Sequence, residues 1–331
     1  MASNRPRRAI IAGIGGQDGS YLAELLVAKG YRVLGFMRKD GDTSNLTSVI
    51  RQVDIEGTEW VRREDIVRWT RQFEPDEVYN LAAMSFIPAS WENPTHAFQV
   101  NTLMVTALLE ALRETGRSTR YYQASSSEIF GDPPNAPQDE TTPFNPMTPY
   151  GVSKLASHLL TGLYRRRHGM FAVSGILYNH ESPRRQSHFV TQKIAIAAAE
   201  IAAGRATRLK LGNIDAQRDW GYAVDFVRGI WQMLQQDHAE DYVLATGELH
   251  SIRDFLEIAF ARVRRDWRDW VEIDTSLVRP VDVGRLVGNA QRAREKLGWS
   301  PQVTFEQLVT IMVDAQVKRL TPSLAREAPA R

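Results

Sequence analysis

Short apolar runs alternate with longer amphipathic stretches over the first half of this chain. Ala9-Ile10-Ile11-Ala12 is one such run; it ends in glycines, and a helical spacing of apolar residues follows over 21–28 and closes at Gly30. The same pattern predicts strands over 32–36, 60–62, 77–81, 120–124 and 172–177, with helices between most of them, notably over 95–115 and 149–168. Strands that alternate with helices pair in parallel, because a crossover helix is what joins parallel neighbours. The predicted fold is α/β, a Rossmann-type parallel sheet with helices on both faces.

Beyond residue 178 the pattern loosens. A polar stretch over 178–188 leads into a helix over 190–203, a second helix from Tyr222, a short strand over 242–245, a helix from Ser251 and a last helix over 304–318. No repeat or low-complexity linker interrupts it. The expected division is a larger Rossmann domain over 1–178 that carries the chemistry, and a smaller C-terminal substrate-binding α/β region over 179–331. Some later segments should return to the first domain, and the crossover should be compact, near 178–185.

Composition narrows the classes of function. A chain of 331 residues is near the size at which one core stops growing, which suits two units sharing a cleft. The 41 Lys and Arg against 39 Asp and Glu leave a formal charge of +2, so there is no global field for nucleic acid or acidic membrane. Anion recognition must be local. The absence of cysteine excludes disulfides, thiolate metal sites and cysteine nucleophiles, and no metal site is expected. Met1 to Arg8 are polar and basic, and no apolar span of about 18 residues occurs, so the expectation is a cytoplasmic protein without a membrane partner.

Two local signals carry chemistry. Gly13, Gly16 and Gly19 have GxxGxxG spacing between a strand and a helix, where glycines allow a tight turn and close approach of a pyrophosphate to backbone N–H groups. At the end of the second strand stand Arg38 and Lys39, and the first acid is Asp40; basic groups there favour NADP over NAD, because they meet a ribose 2′-phosphate. The second signal is Tyr150 and Lys154, spaced YxxxK at the start of a helical pattern and so on one helix face. A nearby ammonium favours the phenolate. Ser125-Ser126-Ser127-Glu128 after the fifth predicted strand adds a hydroxyl and a carboxylate at the edge where open parallel sheets bind ligands. A simple reductase needs only hydroxyl, tyrosine and lysine. Glu128 is surplus to that and points to proton removal alpha to a ketone, hence to dehydration.

Together these motifs resemble the GDP-mannose 4,6-dehydratase family of extended short-chain dehydrogenases/reductases. The resemblance covers almost the whole chain: GIGGQDGSYLAELL from Gly13, PDEVYNLAA from Pro75, YQASSSEIFG from Tyr122, YGVSK from Tyr150, YNHESPRR from Tyr178, DAQRDWGYAVDFV from Asp215 and RPVDVGRLVGN from Arg279. It implies NADP that returns unchanged after each turnover, and conversion of GDP-D-mannose to GDP-4-keto-6-deoxy-D-mannose by internal hydride transfer and loss of water. On it Tyr150 is the base at the sugar C4 hydroxyl, Lys154 lowers its pKa and orients the nicotinamide ribose, Ser126 hydrogen-bonds the C4 oxygen, and Glu128 handles the C5 proton and the departing C6 hydroxyl. Cofactor contacts fall on Gly13, Gly16, Gln17, Asp18, Gly19, Arg38, Asp65, Leu81, Ala82 and Ala83, besides Tyr150 and Lys154. Substrate contacts fall on Ser85, Asn179, Arg184, Lys193, Arg218, Arg279 and Asp282. A homodimer or homotetramer is implied.

The sequence departs from the family pattern at several positions. Ser126 and Gly15 stand where threonine is usual, Asp282 where glutamate is usual, and Gly284 where aspartate is usual. Glu64-Asp65-Ile66 takes the place of a GDL-like turn and runs almost at once into residues 67–73, several residues short of a full helix. Such a helix needs packing to persist. Other readings stay open at this level: a dehydratase of another GDP-sugar such as a GDP-heptose, a nucleoside-diphosphate-sugar epimerase or reductase, and a non-catalytic protein that binds NADP or a sugar nucleotide.

Overall fold

The computed structural model describes residues 5–58, 63–133, 135–277 and 286–327, with side chains as far as residue 320. In chain order the first part comprises β1 (Arg8–Ala12), α1 (Gln17–Ala28), β2 (Arg32–Met37), β3 (Val53–Gly57), α2 (Arg63–Phe73), β4 (Glu77–Asn80), α3 (Ile87–Glu92), α4 (Pro94–Phe98), α5 (Met104–Thr115), β5 (Arg120–Ala124), α6 (Pro149–His168) and β6 (Ala172–Leu177). Next come β7 (Asn179–Glu181), α7 (Val190–Ala202), β8 (Leu209–Leu211), β9 (Gln217–Arg218), β10 (Trp220–Tyr222), α8 (Ala223–Met233), β11 (Tyr242–Leu244), β12 (His250–Ser251), α9 (Ile252–Arg262), β13 (Val271–Ile273) and α10 (Phe305–Glu327).

Seven strands form the main sheet in the order β11-β6-β5-β4-β1-β2-β3. Every pairing in it is parallel. The chain starts in the middle of the sheet, builds outwards to β3, then returns to β1's other side with β4. That reversal opens a crevice beyond the carboxyl ends of β1 and β4, where ligands bind in open α/β sheets. Alternation along the strands feeds two cores: Ala9 and Ile11 face α1 and α8 with Leu22, Leu26, Phe226 and Ile230, whereas Ile10 and Ala12 face α2 and α5 with Trp69, Phe73, Leu108 and Leu112. A further core joins α7, α9 and α10 through Trp220, Phe255, Phe305, Leu308 and Met312.

Two local expectations are revised. The third strand is Val53–Gly57, paired with β2, and the segment 60–62 expected to be that strand lies outside the described residues. The helix α2 begins at Arg63, so Asp65 sits in its first turn and not in a ligand-binding corner. Its 11 residues are held by tertiary packing: Ile66, Trp69 and Phe73 are buried against α5, and Trp69 lies 4.3 Å from the Phe36 ring centroid. Residues after 178 do not stay together: β11 extends the main sheet beside β6, and α8 packs on the same core as α1.

Candidate active site

A cleft of about 1770 Å³ runs over the carboxyl edge of the sheet and under α7, β9 and α10. Its floor begins at the glycine turn. Gly13 has φ +85° and lies so close to β4's end that a Cβ would stand 2.9 Å from the Ala82 nitrogen. At Gly19 a Cβ would stand 2.2 Å from the Gly13 oxygen, so α1 can approach β1 this closely only with glycine there. Gly16 caps α1 without any side-chain acceptor, which leaves the first-turn N–H groups and the positive helix end for an anion. Asn45 holds the turn from outside by donating to the Gly15 carbonyl at 3.1 Å. Leu81, Ala82 and Ala83 continue the floor, and Arg38 and Lys39 close the far end beside Thr58. Arg38 meets Asp40 only at 3.7 Å on an exposed surface.

These residues fit a dinucleotide with a 2′-phosphate. The cradle would be filled by any Cβ at Gly13 or Gly19, the cations stand where the adenosine ribose would end, and the Ser125 hydroxyl at β5's end is buried in the cleft without a partner. Held there, Lys154 and Tyr150 would face its nicotinamide end.

The catalytic candidates converge at the middle of the cleft. Thr148 caps α6 by accepting from the Gly151 N–H at 2.9 Å, Pro149 opens the helix, and Tyr150 and Lys154 lie one turn apart on the buried face. Close packing on the loop after β5 fixes this end: a Cβ at Gly151 would stand 2.7 Å from the Glu128 carbonyl oxygen. Ser126 caps the short turn Ser127–Ile129, accepting from the Glu128 N–H at 3.3 Å, and its hydroxyl lies beside the Tyr150 phenol. Burial pushes the phenol up to about 12; the neighbouring Ser126 hydroxyl and the Arg185 charge oppose this, and the Glu128 charge adds to it. Lys154 donates to the Ala124 carbonyl at 2.5 Å, with its Nζ 5.9 Å from the Tyr150 ring centroid. Burial lowers its ammonium to about 8, against the pull of Asp18.

The substrate side is built from the chain beyond β6. Ser85, Asn179, Arg184 and Arg218 all line the cleft, as do Gln17, Asp18, Ser126 and Glu128. Arg184 stacks over Tyr21 at 3.9 Å and donates to Ser20 and Glu24 of α1. Arg218 reaches in from β9, bracing on the Gln217 carbonyl at 2.6 Å. Two expected contacts are not brought to the cleft. Lys193 points from α7 to the Lys210 carbonyl, 2.8 Å away, and Asp65 pairs with Arg68 of its own helix at 2.9 Å. Arg279 and Asp282, with Gly284, lie outside the described residues.

Several groups in the site carry no motif in the sequence. Asn101 sits in a π-helical turn, Gln99–Leu103, between α4 and α5; it accepts from the Met84 N–H and donates to Ser153, tying the floor loop to α6. Such a widened turn often marks a functional position. Ser90 accepts from the Tyr150 N–H at 3.2 Å, and Arg319 of α10 enters the cleft while donating to the Pro183 carbonyl. Arg185, unlike these, lies within the YNHESPRR motif; it too lines the cleft and stacks over Phe189 at 3.6 Å. No signal in the sequence marks Asn101, since Gln99 and Thr102 beside it are polar as well.

Known proteins match this architecture over nearly its whole length. The family described as GDP-mannose 4,6 dehydratase matches residues 10–312. GDP-mannose 4,6 dehydratase 2 of Arabidopsis thaliana is 45% identical over 330 residues, covering 95% of this chain and 88% of that protein. The Homo sapiens GDP-mannose 4,6 dehydratase is 40% identical, covering 95% and 92%. Among solved structures, the UDP-glucose 4-epimerase of Thermus thermophilus in complex with NAD superposes with a TM-score of 0.83 at 27% identity, over 97% of this chain and 100% of its own. The nucleotide turn, the Ser–Glu–Tyr–Lys group and the lobe above them thus occur in one chain with a match that runs from β1 into α10, and the chain belongs to the GDP-mannose 4,6-dehydratase family.

Proposed function

We propose that this chain binds NADP and a GDP-sugar, and converts GDP-D-mannose to GDP-4-keto-6-deoxy-D-mannose and water. The observation that carries the reading is the meeting of Ser126, Glu128, Tyr150 and Lys154 in one cleft behind a dinucleotide turn, within a chain of this family. Bound NADP supplies the oxidation and the later reduction of the sugar, with no net change over a turnover. Every other task falls to the chain. Tyr150 accepts the proton of the C4 hydroxyl, and Ser126, beside the phenol, holds the C4 oxygen as its carbonyl forms. Once C4 is a ketone the C5 proton is acidic; Glu128 removes it, and the carboxylic acid so formed can protonate the C6 hydroxyl as it departs, while the proton taken up by Tyr150 is the one available to C5 when the resulting C5–C6 double bond is reduced. Lys154, fixed on the Ala124 carbonyl, orients the ribose and offsets anionic charge near the phenol. Arg184 and Arg218, with Asn179, take the diphosphate and sugar, since guanidinium donors match phosphate oxygens in a fixed fork.

The polar residues of the adenine end support NADP over NAD: Arg38 and Lys39 project there, and the first acid after β2 is Asp40. For the assembly we infer a homodimer. Val152, Leu159 and Leu163 share one face of α6, each 41% exposed or more, and Phe98 and Leu103 project beside them. An apolar stripe of this kind is covered in a stable protein by a partner, and a second copy offers the same stripe.

The test is a mass-spectrometric assay of the NADP-loaded protein with GDP-mannose, a GDP-heptose, GDP-glucose and their UDP and dTDP counterparts. The expected result is loss of one water from GDP-mannose with a 4-keto-6-deoxy product. Turnover of another sugar nucleotide in preference, or a product without loss of water, overturns the assignment. Among the described residues no helix is long and apolar enough to cross a membrane.

A further inference from the structure

Asp18 and Gln17 occupy the first turn of α1, where a dinucleotide phosphate would be taken, yet their side chains are engaged by the segment after β6. Gln17 donates to the His180 carbonyl at 3.0 Å and accepts from the Ser182 hydroxyl at 2.8 Å. Asp18 Oδ2 lies 2.9 Å from His180 Nε2, and the two side chains are only 22% and 11% exposed. On its other side the same ring meets the Tyr178 carbonyl, with Nδ1 2.7 Å away, and its face stacks on Phe226 of α8 at 4.7 Å. One turn further along α1, Ser20 and Glu24 hold Arg184. The cofactor-side helix is thereby joined to residues 178–184, the segment that leaves the sheet and supplies Asn179 and Arg184 to the substrate side.

The partners of the His180 ring fix its charge. A backbone carbonyl and an ionised carboxylate are both acceptors only, so both ring nitrogens must donate, and an imidazole that donates twice is an imidazolium. Burial alone would lower the pKa of His180, but the Asp18 charge and the hydrogen bonds to Asp18 and Tyr178 outweigh it and hold it up, against a smaller repulsion from Arg185. A bare carboxylate in the first turn of α1 would repel a pyrophosphate at the same helix end. A buried cation within hydrogen-bond distance cancels it.

We propose that Asp18 and His180 are positioning residues: a buried ion pair that fixes the cofactor-binding turn against the substrate segment and neutralises the Asp18 carboxylate, so that the helix end stays open to an anionic dinucleotide. The proposal rests on the reading of the cleft as an NADP and GDP-sugar site. It differs from a direct contact between Asp18 and the cofactor in the sign of one result. If Asp18 touched NADP, removing its charge would weaken cofactor binding. If it is a carboxylate that must be neutralised, removing its partner weakens binding and removing both restores it.

The experiment measures NADP affinity by titration of intrinsic fluorescence, and kcat and KM for GDP-mannose, in His180→Gln, Asp18→Asn and the double variant, with thermal melts to establish folding. His180→Gln should lose about tenfold in NADP affinity, as one uncompensated charge near the phosphates requires. The double variant should regain most of that loss while its KM for GDP-mannose stays severalfold raised, because the lock between α1 and the 178–184 segment is still gone. Asp18→Asn alone should raise KM and keep NADP affinity within about twofold. A purely structural role would lower the melting temperature without recovery of NADP affinity in the double variant, and that result overturns the proposal. If His180→Gln does not fold, a loss of NADP affinity in Asp18→Asn overturns it on its own. Because cofactor binding is read apart from turnover, wild-type protein that binds NADP but dehydrates nothing would count against the GDP-mannose reading and leave the test of the pair intact.

Discussion

The two ends of the cleft are built differently. At the chemical end Ser126, Tyr150 and Lys154 are each 9% exposed or less, held by a 20-residue helix with a side-chain cap and by the strands beneath it. At the adenine end Arg38 and Asp40 project from a loop with side chains 77% and 81% exposed, and their 3.7 Å pairing is worth little in water. Chemistry depends on the reacting groups being fixed before substrate arrives, so small displacements there are costly. Affinity for a phosphate needs only charge within reach, and a loop can supply that in many conformations. The contrast explains why a shortened segment between β2 and β4 is compatible with an intact catalytic group.

That contrast can be broken at the chemical end first. Tyr150→Phe removes the phenol hydroxyl beside Ser126 and should lower kcat by about 10³-fold or more with the melting temperature little changed, as read by product formation and circular dichroism. Equal loss of NADP binding would show the two ends to be coupled. Glu128→Gln comes next: kcat for water loss should fall by about 10²-fold or more, with reduced cofactor accumulating spectroscopically because the C4 oxidation no longer leads to elimination. Unchanged product formation would remove Glu128 from the mechanism. At the adenine end Arg38→Ser should weaken NADP by about tenfold and leave NAD binding nearly unchanged, with kcat at saturating cofactor preserved. A fall in kcat would place the adenine loop within the catalytic assembly.

Two smaller effects sharpen the comparison. Lys154 has a lowered pKa of about 8, so it loses its charge as pH rises through that value; cofactor affinity should decline above about pH 8 and be steady below it. Flat affinity up to about pH 10 would show that the charge on Lys154 does not limit cofactor binding. Leu159→Arg with Leu163→Arg should convert the proposed dimer to monomer in light scattering while the cleft stays intact, since both side chains lie on the outer face of α6. Persistence of the dimer would direct the search to another surface.

How far the sequence could be read varied with the kind of interaction. Strands β5 and β6 and the helix α6 fall where the apolar pattern puts them, because each is buried strongly enough to leave an unbroken signature and α6 has a threonine cap and an N1 proline. The edge strand β3 escapes that pattern: in Val53–Gly57 the residues Asp54 and Glu56 are exposed, so its apolar content is too thin to stand out. Ser126, Glu128, Tyr150 and Lys154 are readable because motif spacing and sheet topology together imply one edge. Lys193 is not, since a helical wheel gives the angle between residues but not the rotation of α7 against the cleft.

By itself the sequence determined which segments form most of the strands and helices, the glycine turn, the i to i+4 relation of Tyr150 and Lys154, and through its motifs the family. All of these follow from short-range periodicity, steric allowance at glycine and local capping. The tertiary structure alone decided where side chains of the same motif point. Asp18 sits in a phosphate-binding turn yet turns to His180, 162 residues away, and Arg184 stacks on Tyr21 across a similar separation. Such partners are selected by packing and by the need to pair a buried charge, and neither is written in the residues on either side.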